Sequence, residues 1–332
     1  MKKNWQRQYR ITFGVPIYER DAYFTQGSLI CAKVPYRQNP TQDPPQNATV
    51  ISNIESDNNS LRGFEFSFTS SRDMSTSPTK NEKTKLSIKN LSPEMYKVFN
   101  TEGCMVKIEA GYLDTGVFTV YQGFVDSIRP QRGISDIDYI IILKEANLDV
   151  KNAKVSVDFP ETDDAEKALQ ALVKLMPSIS QQEINIETLR KIRVAGGFSF
   201  EGKLIDMIIE LCRAYNIVFS IFNGKFVARY NDMVQGSEDY DKVKYNTYVL
   251  SSNDVKDFNL VTDNSQKLSK EVKVQHDIMV SLFLTNITFD NFITITDDIS
   301  PEYVGTYQPK IIKVRLNTNN NVWDTVITGS SM

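Results

Sequence analysis

Lys85-Leu-Ser-Ile-Lys-Asn-Leu-Ser-Pro-Glu-Met-Tyr-Lys-Val-Phe99, continued by Gly103-Cys-Met-Val-Lys-Ile-Glu-Ala-Gly-Tyr112 and Val117-Phe-Thr-Val-Tyr-Gln-Gly123, reads as strand, short helix, strand, strand. Leu86 and Ile88 alternate with Ser87 and Lys89, the period of a strand with one buried face. Ser92 can cap a helix, Pro93 suits its first position and Glu94 favours its positive end, so a helix is expected to about Phe99. Gly103 closes the turn into a strand over Met105 to Tyr112, and Val117 to Val125 follows as another. Working outward, Tyr9, Ile11, Phe13 and Val15 alternate in the same way, as do Phe64, Phe66 and Phe68. Tyr139-Ile-Ile-Ile-Leu143 is apolar throughout, which predicts a strand covered on both faces by a neighbouring module or subunit. Strands at this density, separated by polar turns, indicate a barrel or sandwich.

Two long polar stretches interrupt this region. Pro35 to Ala48 carries four prolines, Pro44 and Pro45 among them, and Ser70 to Thr84 carries both charge signs, Arg72 included. Loops of this length usually have a task, and contact with assembly partners is expected of both. From about residue 153 the pattern changes. Ala165, Ala168, Leu169, Leu172, Leu175 and Met176 recur at helical spacing, and a second helix is expected from Gly202 to Tyr215 with one narrow polar stripe. Ile217 to Phe222 and Lys225 to Tyr230 flank Asn223-Gly224, the strongest short hairpin signal because both turn residues must take positive φ. Strand patterns then resume over Tyr248–Leu250, Lys256–Thr262, Glu271–Gln275, Met279–Leu284, Phe292–Thr296, Ile311–Leu316 and Trp323–Thr328. The expected fold is mainly β with an α/β insert: antiparallel β-barrel domains at 1–152 and 236–332 flanking a helix-plus-hairpin module at 153–235.

The composition narrows the function. With 332 residues, 41% hydrophobic and 24% charged, the totals are those of a globular protein of two or three domains. No apolar run approaches the roughly 20 residues of a membrane span, and Met1 to Arg10 lacks a signal-peptide core, so a soluble protein made in a reducing cytoplasm, without membrane insertion, is expected. A net charge of −3 gives no field that would hold DNA. Cys31, Cys104 and Cys212 stand far apart and read as buried thiols. His276 is the single histidine, which rules out a His-rich zinc site and leaves any Ser-His-Asp triad dependent on that one residue. Gly197-Phe-Ser-Phe-Glu-Gly202-Lys203-Leu204 meets the spacing of a phosphate loop, but Leu204 stands where a magnesium-holding hydroxyl belongs and Glu201 where phosphate oxygens would lie. Gly202 is read instead as allowing a tight strand-to-helix turn. Asp163/Asp164 and Asp297/Asp298 suit a helix start and a turn better than acid–base work. No catalytic, cofactor or metal residue is therefore assigned, and the chain is expected not to be an enzyme.

Three stretches in order resemble the baseplate hub proteins of contractile-tailed bacteriophages and the related spike-base domains of type VI secretion. They are the opening stretch above, Phe200-Glu-Gly-Lys-Leu through Asn223-Gly-Lys-Phe-Val, and Asn291-Phe-Ile-Thr-Ile through Gly305-Thr-Tyr307 to Val322-Trp-Asp-Thr-Val-Ile-Thr-Gly329. The resemblance implies that the two β domains are tail-tube-like barrels. It implies a homotrimer whose six similar barrels form a ring between a hexameric tail tube protein and a trimeric central spike protein, beside baseplate wedge or tape-measure components. DNA would pass through the lumen without specific binding, and the location would be the virion. No fused spike or lytic domain is expected. Tyr139, Ile141, Leu143, Pro44, Pro45, Arg72 and Trp323 are the expected interface residues. Two other readings stand beside it: a distal-tail or hub component of a non-contractile tail, and a β-rich carbohydrate- or receptor-binding virion protein.

Overall fold

The computed structural model describes residues 6–15, 18–26, 29–38, 48–57, 60–75, 83–145, 153–159, 165–176, 184–185, 198–230, 246–251, 254–261, 275–281, 287–289, 291–296, 301–320 and 322–331. The chain is mainly β, as expected. The first part supplies β1 (Arg7–Gly14), β2 (Tyr18–Gln26), β3 (Leu29–Gln38), β4 (Thr49–Ser52), β5 (Phe66–Asp73), β6 (Lys83–Lys89), helix α1 (Pro93–Phe99), β7 (Met105–Tyr112), β8 (Gly116–Arg132) and β9 (Ile137–Lys144). The middle supplies β10 (Lys154–Phe159), α2 (Ala165–Val173), β11 (Ile184–Asn185), β12 (Phe198–Lys203), α3 (Leu204–Ala214), β13 (Ile217–Phe222) and β14 (Lys225–Tyr230). The last part supplies β15 (Asn246–Leu250), β16 (Val255–Val261), β17 (Gln275–Ser281), β18 (Asn291–Ile295), β19 (Gly305–Asn317) and β20 (Trp323–Ser331).

The opening stretch folds as its residues dictate. Ser92 is the N-cap of α1; its hydroxyl oxygen accepts from the Met95 amide at 3.2 Å, and Pro93 and Glu94 occupy the first turn. Asn90, just before, takes a left-handed φ of 54°, which asparagine tolerates better than most residues. Its amide NH donates to the Ile137 carbonyl, its side-chain oxygen accepts from the Ile137 amide at 3.0 Å, and its side-chain nitrogen donates to Asp136 at 2.9 Å. The exit from β6 is thereby tied to the start of β9. Replacing Ser92 by alanine is expected to lower unfolding free energy by about 1 kcal/mol, the usual value of a lost cap, read as a shift in the urea midpoint at unchanged slope.

Thirteen strands form one sheet, in the order β16-β17-β20-β19-β5-β6-β9-β8-β7-β1-β4, with β18 beside β19 and β15 beside β18. The two outer β regions thus share one sheet, joined by antiparallel pairing of β19 with β5, Val314 opposite Ser70 and Leu316 opposite Phe68. Beneath it lies a core of Tyr9, Ile11, Phe13, Phe66, Phe68, Leu86, Ile88, Phe99, Ile108, Tyr121, Ile141 and Leu143, completed by Val314, Leu316 and Trp323 from the far end of the chain. A second core gathers Leu250, Ile278, Val280, Ile293, Ile295, Tyr307 and Ile327.

The middle module has its own core, in which α2 and α3 cover Val155, Val157, Phe219 and Phe226. One of its sheets runs β12-β10-β3-β2, so the hairpin of residues 18–38 pairs with β10. The other is β11-β14-β13, and the hairpin turn has the predicted positive φ at Asn223 (54°) and Gly224 (80°). Gly202 corrects one expectation. It lies inside β12, opposite Val155, and φ is not positive there; a Cβ would come within 2.9 Å of the Phe200 ring, so the glycine makes room for that ring instead of turning the chain. Other boundaries shift as well. Pro35 to Gln38 belong to β3 and Ser70 to Asp73 to β5, while residues 39–47 and 76–82 lie outside the described residues. One strand, β17, spans the gap between the two expected at 271–275 and 279–284, and β19 begins at Gly305, ahead of the expected Ile311.

Candidate functional site at the junction of the three regions

The alternation that points Phe66 and Phe68 into the core continues along β5, so Ser70 and Arg72 point inward too, each 2% exposed. A buried guanidinium needs partners, and the first β region and the middle module supply them. Its Nε lies 2.6 Å from Oε1 of Glu145, which directly follows β9 and is equally buried. Its Nη2 donates to the Val120 carbonyl at 3.2 Å and to Oδ1 of Asn223 at 3.1 Å. The guanidinium carbon sits 4.3 Å from the Phe222 ring centre and 5.1 Å from that of Tyr121, within cation–π range of both.

Asn223 is the keystone on the other side. The turn that gives it positive φ also exposes its backbone NH, which donates to Oε2 of Glu145 at 3.0 Å, while its side-chain nitrogen donates to the Thr119 carbonyl at 3.2 Å. The hairpin tip of the middle module is therefore plugged into a polar socket of the first β region. Further along, Ser75 and Phe219 exchange two backbone hydrogen bonds, of 2.9 and 3.2 Å, and Arg229 donates to the Pro309 carbonyl at 2.7 Å. Met74, Val218, Phe222, Val227, Phe289 and Ile312 fill the remaining space. Ion pairs this deeply buried contribute little net stability over an apolar substitute, but they penalise every misaligned arrangement, so the socket fixes how the module sits. The arrangement holds parts together.

The sequence-selected residues fall as follows. Ile141 and Leu143 are fully buried in the large core, Tyr139 is half-buried against it, and Trp323 is 1% exposed, packed edge-on to Phe66. Arg72 is the socket's cation. Ile141, Leu143, Trp323 and Arg72 are thus buried within the chain itself. Pro44, Pro45, Asp163, Asp164, Asp297 and Asp298 lie outside the described residues. Cys104 and Cys212 are buried thiols; burial pushes Cys104 up to about 12 and Cys212 up as well. Glu145 and Asn223 were not selected beforehand, since Asn223 reads as a turn residue and Glu145 as a polar strand end. Among the described residues no group of three His, Cys, Asp or Glu is gathered as metal ligands, and no helix is long and apolar enough to cross a membrane.

His276 is packed between Phe258 and Tyr307, ring centres 4.8 and 5.4 Å away, and burial lowers its pKa below the ordinary 6.5. A base whose folded pKa is depressed binds fewer protons when folded than when unfolded. Its contribution is complete above the unfolded pKa and is lost as pH falls through the folded one. Urea midpoints are therefore expected to drop between pH 7.5 and 5 more in the wild type than in His276→Gln; equal drops would remove the histidine from the account.

No protein-family model and no curated protein matches the sequence. Solved structures do match. The chain is similar to the 43 kDa tail protein of prophage MuSo2 from Shewanella oneidensis, with 11% identity over 80% of this chain and 95% of that one, TM-score 0.50. It is similar to the E. coli c3393 protein, a type VI secretion component described as resembling the T4 bacteriophage tail proteins gp27 and gp5, with 9% identity, 81% and 73% coverage, and TM-score 0.52. Against the lidded Francisella PdpA-VgrG complex the identity is 10% and the TM-score 0.54; 99% of this chain is covered but only 53% of that chain, so this protein spans about half its length. At such identities the likeness is one of fold. The chain has the fold of phage tail proteins and of type VI secretion components, in agreement with its resemblance to baseplate hub and spike-base proteins.

Proposed function

We propose that this protein is a non-enzymatic structural subunit of a bacteriophage tail, the hub of its baseplate. Three copies form a ring of six similar barrel-like units that joins a hexameric tail tube to a trimeric central spike and leaves a channel for DNA. The domain division follows the sequence reading, 1–152 and 236–332 for the two units and 153–235 for the module between them. The observation that carries the reading is the shared fold with tail proteins over four-fifths of the chain. The sheet that joins the two β regions, with the module socketed at their junction, supports it, because an adaptor under axial force must hold its two halves in fixed relation. Residues Pro44 and Pro45, together with the stretch 76–82 between β5 and β6, are assigned to contacts with spike, wedge or tape-measure components.

Contacts of this obligate kind bury upwards of about 2,000 Å² and persist on dilution. Light scattering of the purified chain is expected to give three times the monomer mass down to micromolar concentration. A stable monomer at every concentration overturns the reading.

A further inference from the structure

The sheet shared by the two β regions has two faces. Where β5, β6 and β19 run side by side, one face sends Phe66, Phe68, Leu86 and Val314 into the large core. The alternate residues point the other way: Ser67, Thr69 and Ser71 on β5, Lys85 and Ser87 on β6, and Lys313 and Arg315 on β19. Thr69 and Lys85 are exposed and the other five half-buried, so this strip stays open to solvent at the seam between the two regions.

Register gives the strip its profile. Thr69 lies opposite Lys85 on one side and Arg315 on the other, and Ser71 lies opposite Lys313. Small hydroxyl residues of the middle strand form a low floor. Longer basic side chains stand on either side of it, about 10 Å apart, twice the spacing of neighbouring strands. Arg315 is already paired, its Nε 2.7 Å from Asp324, whereas Lys85 and Lys313 have no ion pair among the described residues. No carboxylate stands between these two lysines. Beyond β19 the same face turns acidic, at Asp324 on β20 and Asp277 on β17; beyond β6 it turns apolar, at Ile140 and Ile142 on β9; and Asp73 closes the end of β5. A chain of net charge −3 therefore concentrates uncompensated positive charge on the seam.

The strip is poorly made for a protein partner. None of the exposed large apolar side chains, Val15, Leu61, Leu113, Ile134, Val249 and Val304, belongs to it, so it lacks the anchors that protein interfaces are built around. A peptide cannot add to it as a strand either, because β5 is bonded to β19 on one side and β6 on the other. Ammonium groups and hydroxyls without a carboxylate between them are the donors that proteins turn towards phosphate oxygens.

We infer that a nucleic-acid backbone bears on this strip, in a sequence-independent contact of its phosphates with Lys85, Lys313 and the β5 hydroxyls. This rests on the channel reading above and identifies one wall of that channel. Two unpaired lysines in each copy make the contact weak and salt-sensitive, as a strand that must keep moving requires.

Fluorescence anisotropy of a labelled duplex with the full-length protein tests it. The wild type is expected to bind duplexes of different sequence equally at about 50 mM salt and to release them by about 200 mM. Lys85→Gln/Lys313→Gln is expected to weaken binding about tenfold for every sequence and to flatten the salt dependence, with the oligomer mass and near-ultraviolet circular dichroism unchanged. Thr69→Asp, which puts a carboxylate on the floor, is expected to act in the same direction, and Lys97→Gln on α1 to change nothing. A trimer that binds no duplex, or binds it equally well in the double variant, overturns the strip as the contact and leaves the ring reading standing. Poly-glutamate bound more tightly than the duplex, and lost in the double variant, overturns nucleic acid in favour of an acidic protein segment. A monomer that binds duplex through these lysines removes the ring reading, and the channel wall with it.

Discussion

Replacing Arg72 by alanine is expected to lower the unfolding free energy by about 3–5 kcal/mol, because the Glu145 carboxylate is left buried without its cation. Both side chains are 2% exposed, so water cannot take the missing partner's place without opening the junction. The loss extends beyond one ion pair. The guanidinium also donates to Asn223 and to the Val120 carbonyl, and it faces the Phe222 ring, so the hairpin tip of the middle module loses its seat. The double variant Arg72→Met/Glu145→Leu is expected to recover most of the stability, since an apolar pair of similar volume avoids the cost of stripping water from two ions. Chemical unfolding of the two variants and the wild type checks this. A single variant within about 0.5 kcal/mol of wild type, the range of ordinary surface changes, contradicts the socket.

Ile141→Asp is the second large effect. Ile141 is fully buried, opposite Leu86 of β6 on one side and Ile128 of β8 on the other, so an aspartate would put a bare charge in the middle of the largest core. No folded soluble protein is expected, and hence no oligomer. Ile141→Val, which removes one methylene, is expected to cost only about 0.5–1.5 kcal/mol and to leave assembly unchanged. Soluble yield and near-ultraviolet circular dichroism distinguish the two. A normal soluble trimer from Ile141→Asp contradicts the placement of this strand in the core.

Local structure was legible wherever neighbouring residues settle it. Ser92 and Pro93 announced α1, and Asn223-Gly224 announced the β13–β14 turn, because capping and positive φ are properties of adjacent residues. Partner choice was not legible. A period-two pattern says which face of β5 or β19 is buried, but it is the same pattern whichever strand lies alongside, so the pairing of Leu316 with Phe68 leaves no local trace. The pairing of the 18–38 hairpin with β10 is hidden for the same reason.

The socket was missed in a similar way. Ser70-Ser-Arg-Asp73 reads as the start of a polar loop, yet Arg72 keeps the parity of Phe66 and Phe68 and points inward. That parity was the one available signal, and its meaning depended on a carboxylate far along the chain. Tyr139 to Leu143 was legible as a doubly covered strand, with Ile140 and Ile141 buried on opposite faces; the cover over Ile141 comes from the chain itself. In β19, Pro309 hid the strand's early start, since a proline inside a strand argues against it unless, as here, the register slips at that point.

Electron microscopy of the purified oligomer tests the ring most directly. The account predicts three-fold particles viewed end-on as six lobes around an open axial hole, each chain contributing two lobes. Particles of one copy, or of several copies arranged with no central opening, contradict it.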